Sequence, residues 1–147
     1  MPSKPPFHNQ ETPDSCVPAC LRMVFGSFGV DIAESALREQ CDCTPCFGTD
    51  ALLAVDAAHW LGFAGTAKHT LTLAELQTLV AAGHYPIVYV DLNPLDGVEA
   101  IHALVVTAFA EQTVTVLDPL VGERTLPLQS FTAAWALRHR LAILVER

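Results

Sequence analysis

The chain has 147 residues, 51% of them hydrophobic and 16% charged, and its eight Lys and Arg against sixteen Asp and Glu leave a net charge of −8. That length supports one domain with a substantial core and is too short for two ordinary ones, so residues 1–147 are expected to form a single unit. The acidic balance repels phosphate backbones, which excludes nucleic acid as an ordinary partner, and no apolar run approaches the ~20 residues needed for a transmembrane segment.

The opening Met1-Pro2-Ser3-Lys4-Pro5-Pro6-Phe7 has no apolar export stretch, so a cytoplasmic location is expected, and the five cysteines read as reduced thiols rather than a disulfide framework. The first dozen residues are Pro-rich and polar and should lie extended until Gln10 is anchored. Asp14 and Ser15 then offer caps for a helix over 16–28, with Pro18 tolerated in its first turn, Ala19, Leu21, Val24, Phe25 and Phe28 on its apolar face and Gly29 at its end. A second helix is expected over Ile32 to Gln40, capped by Asp31 with Glu34 three residues on, and a third from Asp50 to Leu61, stopped by Gly62. The Thr72 and Glu75 pair signals a fourth, which ends before Gly83.

Beyond Gly83 the period moves toward strands: Tyr85 to Leu92, Ile101 to Phe109 and Thr113 to Leu117 read as buried, Glu123 to Leu126 as a short edge and Arg140 to Val145 as the last. A helix over 128–137 with Phe131 and Trp135 interrupts them. Helices followed by antiparallel strands make an α+β domain of two packed layers.

Cys16 opens the first helix, where the positive end of the dipole and a nearby imidazolium would favour the thiolate that attacks carbonyls. His102 is an ionisable ring in the apolar strand Ile101-His102-Ala103-Leu104-Val105-Val106, and Asp118 ends the next strand ahead of Pro119. Each has an ordinary structural account: Cys16 as a small buried hydrophobe, His102 as a satisfied strand residue, Asp118 as a turn former, and Gln10 as a surface residue of the arm. Register joins two of them. With Ala110, Glu111 and Gln112 as a three-residue loop, Phe109 pairs with Thr113 and Asp118 falls opposite Leu104, on the face His102 shares, whereas a loop of two or four residues puts the pair on opposite faces. The set then reads as a nucleophile, its base, the base's orienter and, in the Gln10 amide, a donor to the oxyanion.

The run Gln10-Glu11-Thr12-Pro13-Asp14-Ser15-Cys16, followed by Ala19-Cys20-Leu21-Arg22-Met23-Val24 and Phe28-Gly29, resembles the papain-like cysteine peptidases that process bacteriocin precursors at double-glycine leaders. Leu37-Arg38, Gly48-Thr49 through Leu61-Gly62-Phe63, Tyr85-Pro86-Ile87, His102 with Leu104-Val105-Val106, Asp118-Pro119 with Gly122, and the Phe131 and Trp135 helix extend the resemblance over nearly the whole chain. It implies a papain-like fold, a Cys16 nucleophile, a His102 base, an Asp118 orienter, a Gln10 oxyanion donor, and peptide or protein substrates with small residues before the cut. The family places an acidic residue before the cysteine and glycine after it, where this chain has Ser15 and Val17, and a branched neighbour narrows the room beside the nucleophile. No fused transporter accompanies the domain, which implies a stand-alone peptidase or one acting with a separately encoded transporter or other partner.

No cofactor and no metal is expected. The rival use of Cys41-Asp42-Cys43-Thr44-Pro45-Cys46 is a metal site completed by His59 or His69, against an ordinary loop or a redox role. Two other functions use the same residues: a peptide- or leader-binding module without turnover, and a non-hydrolytic acyl transferase or deamidase.

Overall fold

The computed structural model describes residues 2–41 and 50–147. An extended arm leads into α1 (Cys16–Ser27), and it is tied down along its length. Ser3 N donates to Ser27 O at 2.9 Å, Lys4 pairs with Glu123 at 2.8 Å, and Gln10 N donates to Pro119 O at 2.8 Å. Helix α1 is buried on most sides, through Val17, Ala19, Cys20, Leu21, Met23, Val24 and Phe25, so it is the central helix of its layer rather than a half-exposed one. It stops as its glycine dictates. Gly29 sits at φ +80°, Val30 N reaches back to Phe25 O and Gly29 N to Gly26 O, the paired bonds that satisfy orphan carbonyls at a helix end.

Helix α2 is Glu34–Gln40, shorter than the sequence suggests, and Asp31 does not cap it. The cause is Glu34, whose carboxylate, 1% exposed, accepts Glu11 N on both oxygens (3.0 and 3.1 Å) and Arg38 Nη1 at 2.6 Å instead of folding back on its own helix. Asp31 faces Arg22 at 3.7 Å. Ser15 does stand at the cap position of α1, yet its hydroxyl turns back to accept from Thr12 N and donate to Thr12 O.

Helix α3 (Ala51–Trp60) is capped by Asp50, whose side chain accepts from Leu52 N. A short strand, β1 (Ala67–Thr70), follows and was not legible: its Ala-Lys-His-Thr sequence has no buried face to announce. Helix α4 (Leu73–Ala81) begins with the full Thr72 and Glu75 capping box. Then come β2 (Ile87–Asp91), a one-turn helix α5 (Asn93–Asp96), β3 (Ile101–Phe109), β4 (Thr113–Asp118), β5 (Gly122–Pro127), α6 (Leu128–Ala136) and β6 (Leu141–Leu144). The last strand starts after Arg140 because Arg140, with φ +53°, is in the left-handed region and cannot join a ladder.

The six strands form one antiparallel sheet in the order β1-β6-β2-β3-β4-β5, with a core on each face. Alternate residues of the central strands divide between them: Ile87, Tyr89, Ala103, Val105 and Leu117 pack with α1 and α3, and Val88, Val90, Leu104, Val106 and Val116 pack with α6. The α+β class is as expected, but helices cover both faces of the sheet rather than one, because its central strands are apolar on both sides. Trp135 is buried against Phe131, whereas Trp60 is exposed on α3.

Gly26 seats the arm, since a Cβ there would lie 2.7 Å from Pro6 Cγ and 2.9 Å from its Cδ. Gly26→Ala is expected to lift the arm, costing about 1–3 kcal/mol of stability as overpacking does. Chemical unfolding measures the loss, and limited proteolysis should cut the variant earlier within residues 2–15 than the wild type.

Candidate active site

Cys16 is the first residue of α1 and is half-buried. The first-turn N–H groups of an α-helix have no intrahelical acceptor, and they add to the positive end of the helix dipole beside this sulfur. Cys20, one turn on, is fully buried, and burial pushes its thiol well above the ordinary range.

His102, at the start of β3, is 4% exposed, and Asp118, at the end of β4, is 2% exposed. His102 Nε2 donates to Asp118 Oδ1 at 2.7 Å, and Cys16 is near enough to act on the titration of the ring. Imidazole and carboxylate are thus in direct contact, with the sulfur of Cys16 beside the ring. The route to this contact differs from the sequence expectation. Phe109 pairs with Val114, not Thr113, and Ala110 N donates to Thr113 O, so the loop is the two residues Glu111 and Gln112. Carried through a plain ladder, that register would set Asp118 opposite Val105 on the wrong face. A bulge between Val106 and Ala108 absorbs Thr107, whose hydroxyl donates to Thr115 O. Beyond it Val106 pairs with Val116 and Val105 with Leu117, which returns Asp118 to Leu104 and to the face of His102.

Asp118 does two jobs that sequence reading set against each other. Its Oδ1 also accepts Leu120 N at 2.9 Å, forming the Asx turn that leads to Gly122 at φ +109°. Its Oδ2 accepts Arg124 Nη1 at 3.0 Å. Burial alone would raise the Asp118 carboxyl, but the bonds from His102, Leu120 N and Arg124 hold it below its ordinary range. Burial lowers His102, and this is outweighed by the hydrogen bond to Asp118, by the neighbouring Cys16 and by the charges of both, which carry it up to about 9. These surroundings favour the cationic form of the ring.

Gln10 reaches the same corner through its backbone bond to Pro119 O, on the turn just after Asp118. Its side-chain Nε2 donates to Thr12 O at 2.9 Å and Pro13 O at 3.1 Å, so both N–H groups are spent within its own turn, and Oε1 is buried without a partner among the described residues. Thr12 O is shared with Ser15 Oγ at 3.1 Å and Ser15 N at 3.3 Å. Release of one Gln10 bond therefore leaves that carbonyl satisfied.

Sequence reasoning missed Arg124 and Glu34. Arg124 follows from the β4–β5 register, since Gly122 pairs with Asp118 and Arg124 is two residues along on the same face. Glu34 was read as a cap when its carboxylate instead holds Glu11 N, next to Gln10. Of the cysteine cluster only Cys41 falls within the described residues, so the metal reading of 42–46 lies outside them; among the described residues no group of His, Cys, Asp and Glu could hold a metal. His59, offered as a fourth ligand, lies 2.6 Å from Thr66 O. His69 lines an apolar groove of about 500 Å³ between β1 and α4, which shares no residue with the Cys16 site. No helix among the described residues is long and apolar enough to cross a membrane.

The model of the peptidase C39 family matches residues 4–147. The peptidase domain of Streptococcus ComA, a bi-functional ABC transporter of a quorum-sensing pathway, is 26% identical with a TM-score of 0.80, covering 95% of this chain and 97% of that one. A double-glycine motif protease from an AMS/PCAT transporter, solved with a leader peptide, has a TM-score of 0.80 at 18% identity, over 99% of this chain and 94% of that one. A C39-like peptidase from Bacillus anthracis shares the fold at 17% identity and a TM-score of 0.76, over 97% of this chain and 94% of that one. No curated protein matches the chain.

The sign of the linkage is set by the direction of each shift. His102 is raised from 6.5, so its contribution to stability is complete below pH 6.5 and is lost as pH rises through about 9. Asp118 is lowered from 3.8, so its contribution is present above pH 3.8 and is lost as pH falls further. In Asp118→Asn the imidazole midpoint, followed by NMR, should fall from about 9 toward 6.5 or lower, because burial is then less opposed.

Proposed function

The chain belongs to the peptidase C39 family and is a cysteine peptidase, and on that premise we propose that Cys16, His102, Asp118 and Gln10 carry out hydrolysis of a peptide bond that follows small residues, with a double-glycine leader as the substrate class. Residues 1–147 act as one peptidase domain in this reading. The single observation that supports it is the hydrogen bond at 2.7 Å between the buried His102 and Asp118, with Cys16 at the head of α1 close enough to act on the imidazole.

The steps follow from that arrangement. Cys16 Sγ attacks the carbonyl carbon as a thiolate, with the imidazolium of His102 as its counter-ion. The oxygen of the tetrahedral intermediate is held by Cys16 N–H at the start of α1 and by one N–H of Gln10, exchanged from Thr12 O. As the intermediate collapses, His102 gives its proton to the departing amine and leaves the acyl part as a thioester on Cys16. The now neutral ring takes a proton from water, whose oxygen attacks the thioester, and hydrolysis returns the ion pair. Asp118 holds the ring in one orientation throughout and offsets its positive charge.

The leader assignment draws on the relatives: one is a double-glycine motif protease seen with a leader peptide, and another is the peptidase domain of a transporter. A transporter encoded separately, or another protein that delivers the peptide, is the partner that fits, and the cytoplasm is the compartment where reduced Cys16 and such a substrate would meet. Val17 and Ser15, in place of glycine and an acidic residue, are the positions where substrate choice should depart from the family's pattern.

An alkylating reagent at neutral pH should label Cys16 ahead of Cys20, and His102→Ala should slow that labelling at least tenfold. Peptides with an internal Gly-Gly should be cut after the pair, with no product from Cys16→Ala. Gln10→Ala should lower kcat by roughly 10²–10³, the usual effect of removing one oxyanion donor. Labelling at equal rates with no cleavage would instead favour a binding module, and an amide or cross-linked product mass an acyl transferase.

A further inference from the structure

Arg124 enters the site from β5, and its guanidinium spans two carboxylates. Nη1 donates to Asp118 Oδ2 at 3.0 Å and to Asp96 Oδ2 at 3.1 Å, and Nη2 donates to Asp96 Oδ1 at 2.8 Å. We propose that Arg124, anchored by Asp96, is a positioning residue that fixes the Asp118 carboxylate and through it the His102 ring. The inference rests on the role proposed above for Cys16, His102 and Asp118.

The two oxygens of Asp118 are used unequally. Oδ1 takes His102 Nε2 and Leu120 N, while Oδ2 takes Arg124. A carboxyl group turns readily about its last torsion, which is broad and two-fold. A charged N–H of Arg124 on the second oxygen is what holds the first one in line with the imidazole. The guanidinium in turn is held by paired bonds to Asp96, the last residue of α5. After Asp96 the chain turns at Gly97, with φ +73°, and runs into Ile101 and His102. Arg124 thus ties the β4–β5 hairpin to the loop that delivers the imidazole.

Charge gives the same arrangement a second consequence. The titratable groups around His102 and Asp118 are Cys16 and Cys20 from α1, Arg124 from β5 and, beyond the guanidinium, Asp96 from α5. Arg124 draws the Asp118 charge away from His102, and Asp96 moderates that draw by neutralising Arg124. Loss of either partner should therefore shift the imidazole titration, and in opposite directions.

The test needs no substrate. The His102 midpoint is read by NMR, and the rate of Cys16 alkylation by iodoacetamide is read at pH 7, in the full-length wild type and in Arg124→Gln, Arg124→Lys and Asp96→Asn. Arg124→Gln should raise the midpoint and Asp96→Asn should lower it, each by about half a unit or more for a charge lost at this range. The alkylation rate should fall about tenfold in Arg124→Gln and about threefold in Asp96→Asn, with Arg124→Lys within threefold of wild type in rate and unchanged in midpoint. Thermal melts and circular dichroism establish that each variant is folded. If Arg124→Gln does not fold, the downward shift in Asp96→Asn and the rescue by lysine decide the matter. Folded variants with unmoved midpoints, or shifts of one sign in both, would show the ion trio to be packing alone. Should the wild type fail to cut Gly-Gly peptides while these shifts appear, the substrate reading falls and the role of Arg124 stands.

Discussion

Asp118 is a carboxylate almost wholly removed from water, and such a group survives in its charged form only if its lone pairs are met. The partners come from separate parts of the chain: an imidazole on β3, a backbone amide of its own turn, and a guanidinium on β5. Each fixes something. The amide shapes the turn to Gly122, the guanidinium ties in α5, and the imidazole leads to the sulfur at the head of α1. The arm joins this corner as well, because Gln10 N donates to Pro119 O one residue past the carboxylate. Sheet, helix and arm meet at the one group whose burial obliges them to.

A second buried carboxylate organises the approach to the nucleophile. Glu34, from α2, accepts the Glu11 amide and pairs with Arg38, while Ser15 bonds both polar groups of Thr12. The turn from Gln10 to Cys16 is thereby held from both sides. In Ser15 the chain makes that local bonding with a neutral, fully buried hydroxyl.

The hairpin between β3 and β4 shows how one local device can decide a site. A two-residue loop and a site on one face are incompatible in a regular ladder, since side chains alternate with a period of two. One extra residue, Thr107, reconciles them. It has no sequence signature beyond a threonine in an apolar run, so the shared face of His102 and Asp118 could be foreseen only by way of the wrong loop.

What the sequence by itself determined is what depends on neighbours within a few positions: the helices with their glycine stops and the Thr72 capping box, the long buried strands, and Cys16 at a helix start. His102 stood out too, because an ionisable ring is out of keeping with its apolar strand, whereas Gln10 lies in a polar arm and was singled out by its spacing from Cys16. Strand β1, the one-turn α5, the bulge, and the uses of Glu34 and Arg124 were decided only by the tertiary structure. Each depends on a partner distant in sequence or across a turn, and an exposed edge strand or a surface-looking charge carries no periodicity to reveal it. Local chemistry is written in composition and spacing. Which buried charge meets which partner is settled when the layers close and water leaves.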